Sequence, residues 1–194
     1  MLSEVSFRPP LLGTDRLLLR GYEPSDKAAI FEYASDVETA QYMLWERHRT
    51  IADAETFLDG FVSENYAAEA LDYAICERDR SERVIGGIGV YQRSLSHKTM
   101  ELGYILHRDF WGRGYVPEAG RALLRRAFQT TDVERIYAPI FEENEKSRRA
   151  AEKMGLKFEG IHRSALAIRG SRCSEAVYAI IRDDLTEAAA PTAQ

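Results

Sequence analysis

The segment Glu101–Phe128, ELGYILHRDFWGRGYVPEAGRALLRRAF, constrains this chain more than any other. Its apolar run from Leu102 to Leu106 predicts a strand. The glycine-rich turn Trp111-Gly112-Arg113-Gly114-Tyr115 follows. Pro117 then sits where a helix begins, and Ala119, Leu123, Ala127 and Phe128 recur at helical spacing. Strand, glycine loop and helix N-terminus, in that order, build an anion site. Glycines let backbone N–H groups approach a phosphate closely, and a helix start adds a partial positive charge of about half a unit. The segment therefore predicts a phosphorylated ligand.

Two common nucleotide signatures are excluded. A Walker loop needs G-x-x-x-x-G-K-[ST], whereas these glycines are two apart and no Lys-Ser/Thr follows. A dinucleotide fingerprint needs G-x-G-x-x-G early in a βαβ unit. Its third glycine would fall on Pro117, and the unit follows a trio of strands that reads as antiparallel.

The rest of the chain supplies the frame. Its 194 residues suit one domain, expected over residues 1–185 with a flexible tail over 186–194. Strands are predicted at Leu17–Arg20, Leu71–Cys76, Val84–Tyr91, Thr99–Leu106, Arg135–Ile140, Lys157–His162 and Cys173–Ile181. Helices are predicted at 24–35, 50–67 with Thr50 as N-cap and Asp53 in its capping box, 116–129, and 144–154 ended by Gly155. That order makes an α+β domain on a mixed sheet. No apolar run approaches the roughly 20 residues of a membrane span, and MLSEVSFRPP carries no signal-peptide core. Cys76 and Cys173 lie on predicted strands without metal spacing, as core thiols of a reducing compartment. A cytoplasmic location is expected. The net charge of −5 argues against general nucleic-acid binding.

Four segments, in order and at a consistent spacing, carry a family resemblance. They are Thr14-Asp15-Arg16-Leu17-x-Leu19-Arg20; Leu102-Gly103-Tyr104-Ile105; Trp111-Gly112-Arg113-Gly114-Tyr115-Val116-x-Glu118-Ala119; and Asn144-x-x-Ser147 leading to Glu152-Lys153-x-Gly155-Leu156. From Thr14 to about Leu185 the chain resembles the GNAT N-acyltransferases, in their RimJ/RimL-like branch. The resemblance implies a mixed, mostly antiparallel sheet of about seven strands with about four helices. It also implies a splay between the strand before the loop and the next one, and acetyl-CoA as cofactor. The family's pyrophosphate pattern, [Q/R]-x-x-G-x-[G/A], maps onto Trp111–Val116. Trp111 and Val116 depart from it at the two ends.

The mapping places the pyrophosphate against the amides of Gly112, Arg113, Gly114, Tyr115 and Val116. Arg113 is a candidate charged contact and equally a solvent-facing residue. The Leu102–Leu106 strand would pair with the pantetheine arm, with amides near Ile105 and Leu106 facing the thioester oxygen. Asn144 is a candidate N-cap and, by resemblance, a contact to the same arm. By the same resemblance Ser147 is a candidate proton donor to the leaving thiolate. Many relatives use a tyrosine there, and Tyr137 lies on the preceding strand. Glu101 is a candidate base acting through water, or a solvated strand end. Glu142 and Glu143 either line the amine entrance or serve the helix start.

Tyr42, Trp45, His48 and Arg49 form an irregular segment that the resemblance places near the acceptor pocket. The four histidines are scattered without metal spacing, so no metal is expected. Arg121, Arg125 and Arg126 read as a solvated helix face. The implied reaction is direct transfer of an acetyl group to a primary amine, on a peptide N-terminus or a small molecule, by a monomer or homodimer. A CoA-binding sensor without catalysis is the alternative.

Overall fold

A computed structural model describes residues 1–189. Eight strands form one sheet in the order β1-β2-β3-β4-β5-β6-β8-β7. They are β1 (Leu12–Gly13), β2 (Leu17–Arg20), β3 (Leu71–Glu77), β4 (Arg80–Ser94), β5 (Thr99–Leu106), β6 (Arg135–Phe141), β7 (Lys157–Ile168) and β8 (Ser171–Ile181). Seven of these match the expected strands, and the two-residue β1 is the addition. All pairings are antiparallel except β5 with β6.

The helical segments are α1 (Lys27–Ala34), α2 (Val37–Ala40), α3 (Ile51–Phe57), α4 (Ser63–Ala67), α5 (Tyr115–Thr130), α6 (Glu145–Met154) and α7 (Arg182–Ala189). Thr50 and Asp53 form the expected capping box, and a π-helical stretch, Leu58–Val62, joins α3 to α4. Two segments were not foreseen. Asp36 caps the short α2 by accepting from the Thr39 amide at 2.8 Å. The helix α7 runs through the start of the expected tail, and residues 190–194 of that tail lie outside the described residues.

Two apolar layers hold the sheet. On one face, α5 and α6 cover Ile88, Val90, Leu102, Leu106, Ile136 and Ala138. Leu123 of α5 is fully buried there, so Leu123→Ala would cost about 2–5 kcal/mol. The two helices touch where Gly120 meets Met154; a Cβ at position 120 would collide with the Met154 thioether. On the other face α1, α3, the π-helical stretch and α4 pack Ile30, Ala54, Leu58, Val62 and Tyr66 against Ala74, Cys76 and Val84.

The feature that positions the site lies between β5 and β6. They pair only at Thr99–Arg135, Met100–Ile136 and Glu101–Tyr137. Beyond Glu101 the strands separate, which leaves one edge of residues 102–106 open. This is the expected splay.

Candidate active site

The glycine loop is built as its composition demands. Gly112 and Gly114 have φ of +75° and +76°, the left-handed region that costs other residues about 1 kcal/mol or more. A Cβ on Gly112 would meet nothing within 4 Å, so the ground before the loop is open. Gly114 is the N-cap of α5, whose first-turn amides have no acceptor inside the helix. Left-handed glycines, free amides, a helix start and open space together fit a pyrophosphate.

Side chains fix this loop from behind. Glu118, in the first turn of α5, accepts from the Thr14 hydroxyl at 2.6 Å, the Arg16 amide at 3.0 Å and Arg16 Nε at 2.7 Å. Burial alone would raise the Glu118 carboxyl, but these hydrogen bonds and the Arg16 charge outweigh it and hold the group below its ordinary range. Arg16 also donates to the Arg113 carbonyl at 2.9 Å and lies over the Tyr115 ring. The Thr14-Asp15-Arg16 segment thus braces the loop across roughly a hundred residues of chain, a role its sequence did not signal.

The departing residues at the loop's ends have structural places. Trp111 donates its indole N–H to the Leu106 carbonyl at 2.7 Å, and Lys146 of α6 sits 4.4 Å above its ring. Val116 is half-buried and packs its branched side chain against the core. Arg113 folds back on its own loop, donating to the Asp109 carbonyl at 3.0 Å with its guanidinium over Phe110. Tyr115 is buried, its hydroxyl on Glu77 at 2.7 Å.

The open edge of β5 is specific about which groups it presents. The His107 amide bonds the Ile85 carbonyl at 2.8 Å, and Ile105 pairs with Gly87. Alternation along an antiparallel ladder then turns the backbone of Ile105 toward β4 and that of Tyr104 and Leu106 toward the splay. Of the two amides expected to face the thioester, Leu106 is on the open edge and Ile105 is not; Tyr104 takes its place.

Across the splay stands α6. Asn144 caps it, its Oδ1 accepting from the Ser147 amide at 3.1 Å. The Ser147 hydroxyl lies 2.7 Å from the Tyr104 hydroxyl, which also reaches the Ser147 carbonyl at 3.0 Å. Burial pushes the Tyr104 phenol well above its usual range, although the bond to Ser147 pulls the other way, so it stays protonated near neutrality. Tyr104 is the site residue that the sequence missed. It stands within a recognised segment, yet the pleat parity that turns it toward α6 depends on register.

Glu101 occupies the root of the splay. Its Oε2 accepts from Arg93 Nε at 2.9 Å and from the Tyr137 hydroxyl at 3.1 Å. Tyr137 therefore serves Glu101 and not Ser147. The face of β6 that carries Tyr137 also carries Phe141, over which the Tyr42 ring lies at 5.8 Å. Trp45 and His48 of the same segment pack together at 5.2 Å, with Phe57 of α3 next to His48. Burial lowers the His48 pKa and leaves Nδ1 without a hydrogen-bond partner. Glu175 on β8 pairs with both Phe141 and His162. Burial raises its carboxyl; His162 opposes that rise and the Glu101 charge adds to it. Beside Tyr137 an open depression of about 410 Å³ is lined by Arg135, Glu159, His162 and Val177, among others.

These features identify the chain's family once compared with known proteins. Residues 16–157 match the family model described as the acetyltransferase (GNAT) domain. The chain belongs to the GNAT acetyltransferases. It is 31% identical over 173 residues to YoaA of Bacillus subtilis (strain 168), described as an uncharacterized N-acetyltransferase, covering 89% of this chain and 97% of YoaA. A GNAT-family acetyltransferase structure from Bacillus anthracis superposes with a TM-score of 0.78 at 27% identity, covering 90% of this chain and 99% of that one. RimL, the ribosomal L7/L12 α-N-protein acetyltransferase solved with coenzyme A, shares the fold with a TM-score of 0.79 at 19% identity, covering 90% of this chain and 99% of RimL.

The protein is therefore an acetyltransferase, and acetyl-CoA is the cosubstrate of its family. Among the described residues no helix is long and apolar enough to cross a membrane. Nor does any group of three His, Cys, Asp or Glu side chains among them come together to hold a metal ion.

Proposed function

We propose that this GNAT enzyme acetylates a primary amine, the α-amine of a peptide N-terminus or a small-molecule amine, by direct transfer from acetyl-CoA. The observation that carries the reading is the Ser147–Tyr104 hydroxyl pair, set across the splay from the open edge of β5. In this reading the loop amides of residues 112–116 hold the pyrophosphate. The outward amides of Tyr104 and Leu106 hold the pantetheine arm and the thioester oxygen, and Asn144 borders the arm. Acetyl-CoA supplies the activated acyl group.

The protein's own groups manage two protons. Glu101 takes one from the amine through water. Ser147 gives its proton to the leaving thiolate and regains one from the attacking nitrogen as that sheds its second proton, with the Tyr104 hydroxyl donating to the Ser147 oxygen meanwhile. Holding both partners together removes the entropic cost of their encounter.

Acceptor basicity favours one class. An α-amine has a pKa near 8 and a lysine amine about 10.4, so lysine needs roughly 3 kcal/mol more to deprotonate near neutrality. Glu101 already accepts from Arg93 and Tyr137, so no uncommitted base faces the acceptor. Such a site suits an α-amine or another amine of low pKa. The test is thiol release from acetyl-CoA with a panel of dipeptides, small amines and blocked lysine. Turnover of α-amines ahead of lysine supports the reading, and lysine as the preferred acceptor refutes it. Acyl-CoAs of graded length define the donor in the same assay.

A further inference from the structure

The β7–β8 hairpin ends in an unusual residue. Ile168 pairs with Ser171, so Arg169 and Gly170 alone make the turn, with φ of +49° and +79°. Positive φ at both positions is the type I′ geometry that favours Asn-Gly, because asparagine tolerates the left-handed region and arginine does so poorly. The hairpin by itself gives no reason for arginine here.

The reason lies across the cleft. Arg169 donates from Nη1 to the Gln41 carbonyl at 3.2 Å and from Nη2 to the carbonyls of Met43 at 3.2 Å and Trp45 at 2.9 Å. Its Nε lies 3.5 Å from the Glu46 carboxylate. One guanidinium thus gathers the irregular segment after α2 and ties it to the hairpin tip. That segment carries Tyr42, which lies over Phe141 on the sheet face shared with Glu101 and Tyr137. The clasp therefore covers the face of β6 at Phe141, beyond Tyr137, the last residue of β6 that pairs with β5.

We propose that Arg169 is a positioning residue for acceptor recognition, fixing the Gln41–Glu46 segment as one wall of the amine cleft. The proposal rests on the acceptor side assigned under the proposed function. Arg169→Asn is the decisive variant, since asparagine suits the turn and cannot span the carbonyls. The hairpin should persist, with thermal stability kept or raised. Hydrogen exchange at the Met43 and His48 amides, which bond the carbonyls of Ala40 and Ala34, should quicken about tenfold or more while the hairpin amides stay protected. The KM for the amine should rise about fivefold or more, with kcat and acetyl-CoA affinity within about twofold. Arg169→Lys, with one point donor for a fork, should fall between.

Unchanged exchange overturns the clasp, and faster exchange with an unchanged amine KM overturns its part in recognition. If the unaltered protein acetylates no amine in the panel, the proposed function fails and this inference fails with it.

Discussion

The Tyr104 and Ser147 hydroxyls stand 2.7 Å apart, one on β5 and one on α6, joining the two sides of the splay. Their coupling is testable because the two removals are not independent. Ser147→Ala should lower kcat about tenfold to a hundredfold with little change in the KM for acetyl-CoA, as expected for a lost proton donor. Tyr104→Phe keeps the ring and removes only its donor, and should cost less. Together they should cost about what Ser147→Ala costs alone, because Tyr104 acts through the serine. Steady-state kinetics on the two single variants and the double variant decide it. Fully additive losses would separate the residues, and an unchanged kcat in Ser147→Ala would remove it as the acid.

The glycine loop makes a sharper prediction because its two glycines differ in surroundings. Gly112→Ala meets no neighbour, so it should cost only the left-handed strain of about 1 kcal/mol in stability. Gly114→Glu adds a carboxylate at the α5 N-terminus, where a pyrophosphate would sit. Titration calorimetry should find acetyl-CoA binding abolished in a protein that still gives a native circular dichroism spectrum. Unchanged affinity would sink the pyrophosphate assignment.

Much of this was legible in the sequence because the informative residues are local. The loop glycines, Pro117, the Asn144 cap and the helix-ending Gly155 act within a few residues of themselves, and each holds its expected place. What was hidden depends on register or on distant partners. Ile105 and Tyr104 are adjacent in sequence, and only the pairing of β5 with β4 decides which presents its amide to the splay. Tyr137 has no assigned partner in the sequence, and only the parallel pairing places it beside Glu101. Thr14 and Arg16 form part of a recognised segment, yet their bonds to Glu118 join residues 104 and 102 positions apart.

Glu101 shares its carboxylate with Arg93 and Tyr137, which separates two roles for it. As the amine's base it should be required for turnover and not for cofactor binding. Glu101→Gln keeps the size and the contact to Tyr137 while removing the charge. We expect kcat/KM for the amine to fall about tenfold or more with acetyl-CoA affinity unchanged. Tyr137→Phe should have a smaller effect in the same direction, since it loosens the placement of the carboxylate without neutralising it. A Glu101→Gln enzyme with full activity would return the residue to an ion pair at a strand end.

Glu118 links the loop to pH. Its folded-state pKa is held below the ordinary carboxylate value, because the charged form accepts from Thr14 and Arg16. A group depressed in this way binds fewer protons in the folded state than in the unfolded state between the two pKa values. Its stabilisation is therefore full above the unfolded carboxylate range and fades as pH falls through the folded pKa. Glu118→Gln keeps the shape and cannot titrate. At pH 7 it should be less stable than the unaltered protein by about 2 kcal/mol, the scale of hydrogen bonds to a charged group. Denaturant melts taken stepwise from pH 7 down to about pH 3 should bring the two proteins together, since the advantage belongs to the carboxylate alone. A gap that stayed constant with pH would place the loss in packing and not in the charge that Thr14 and Arg16 hold.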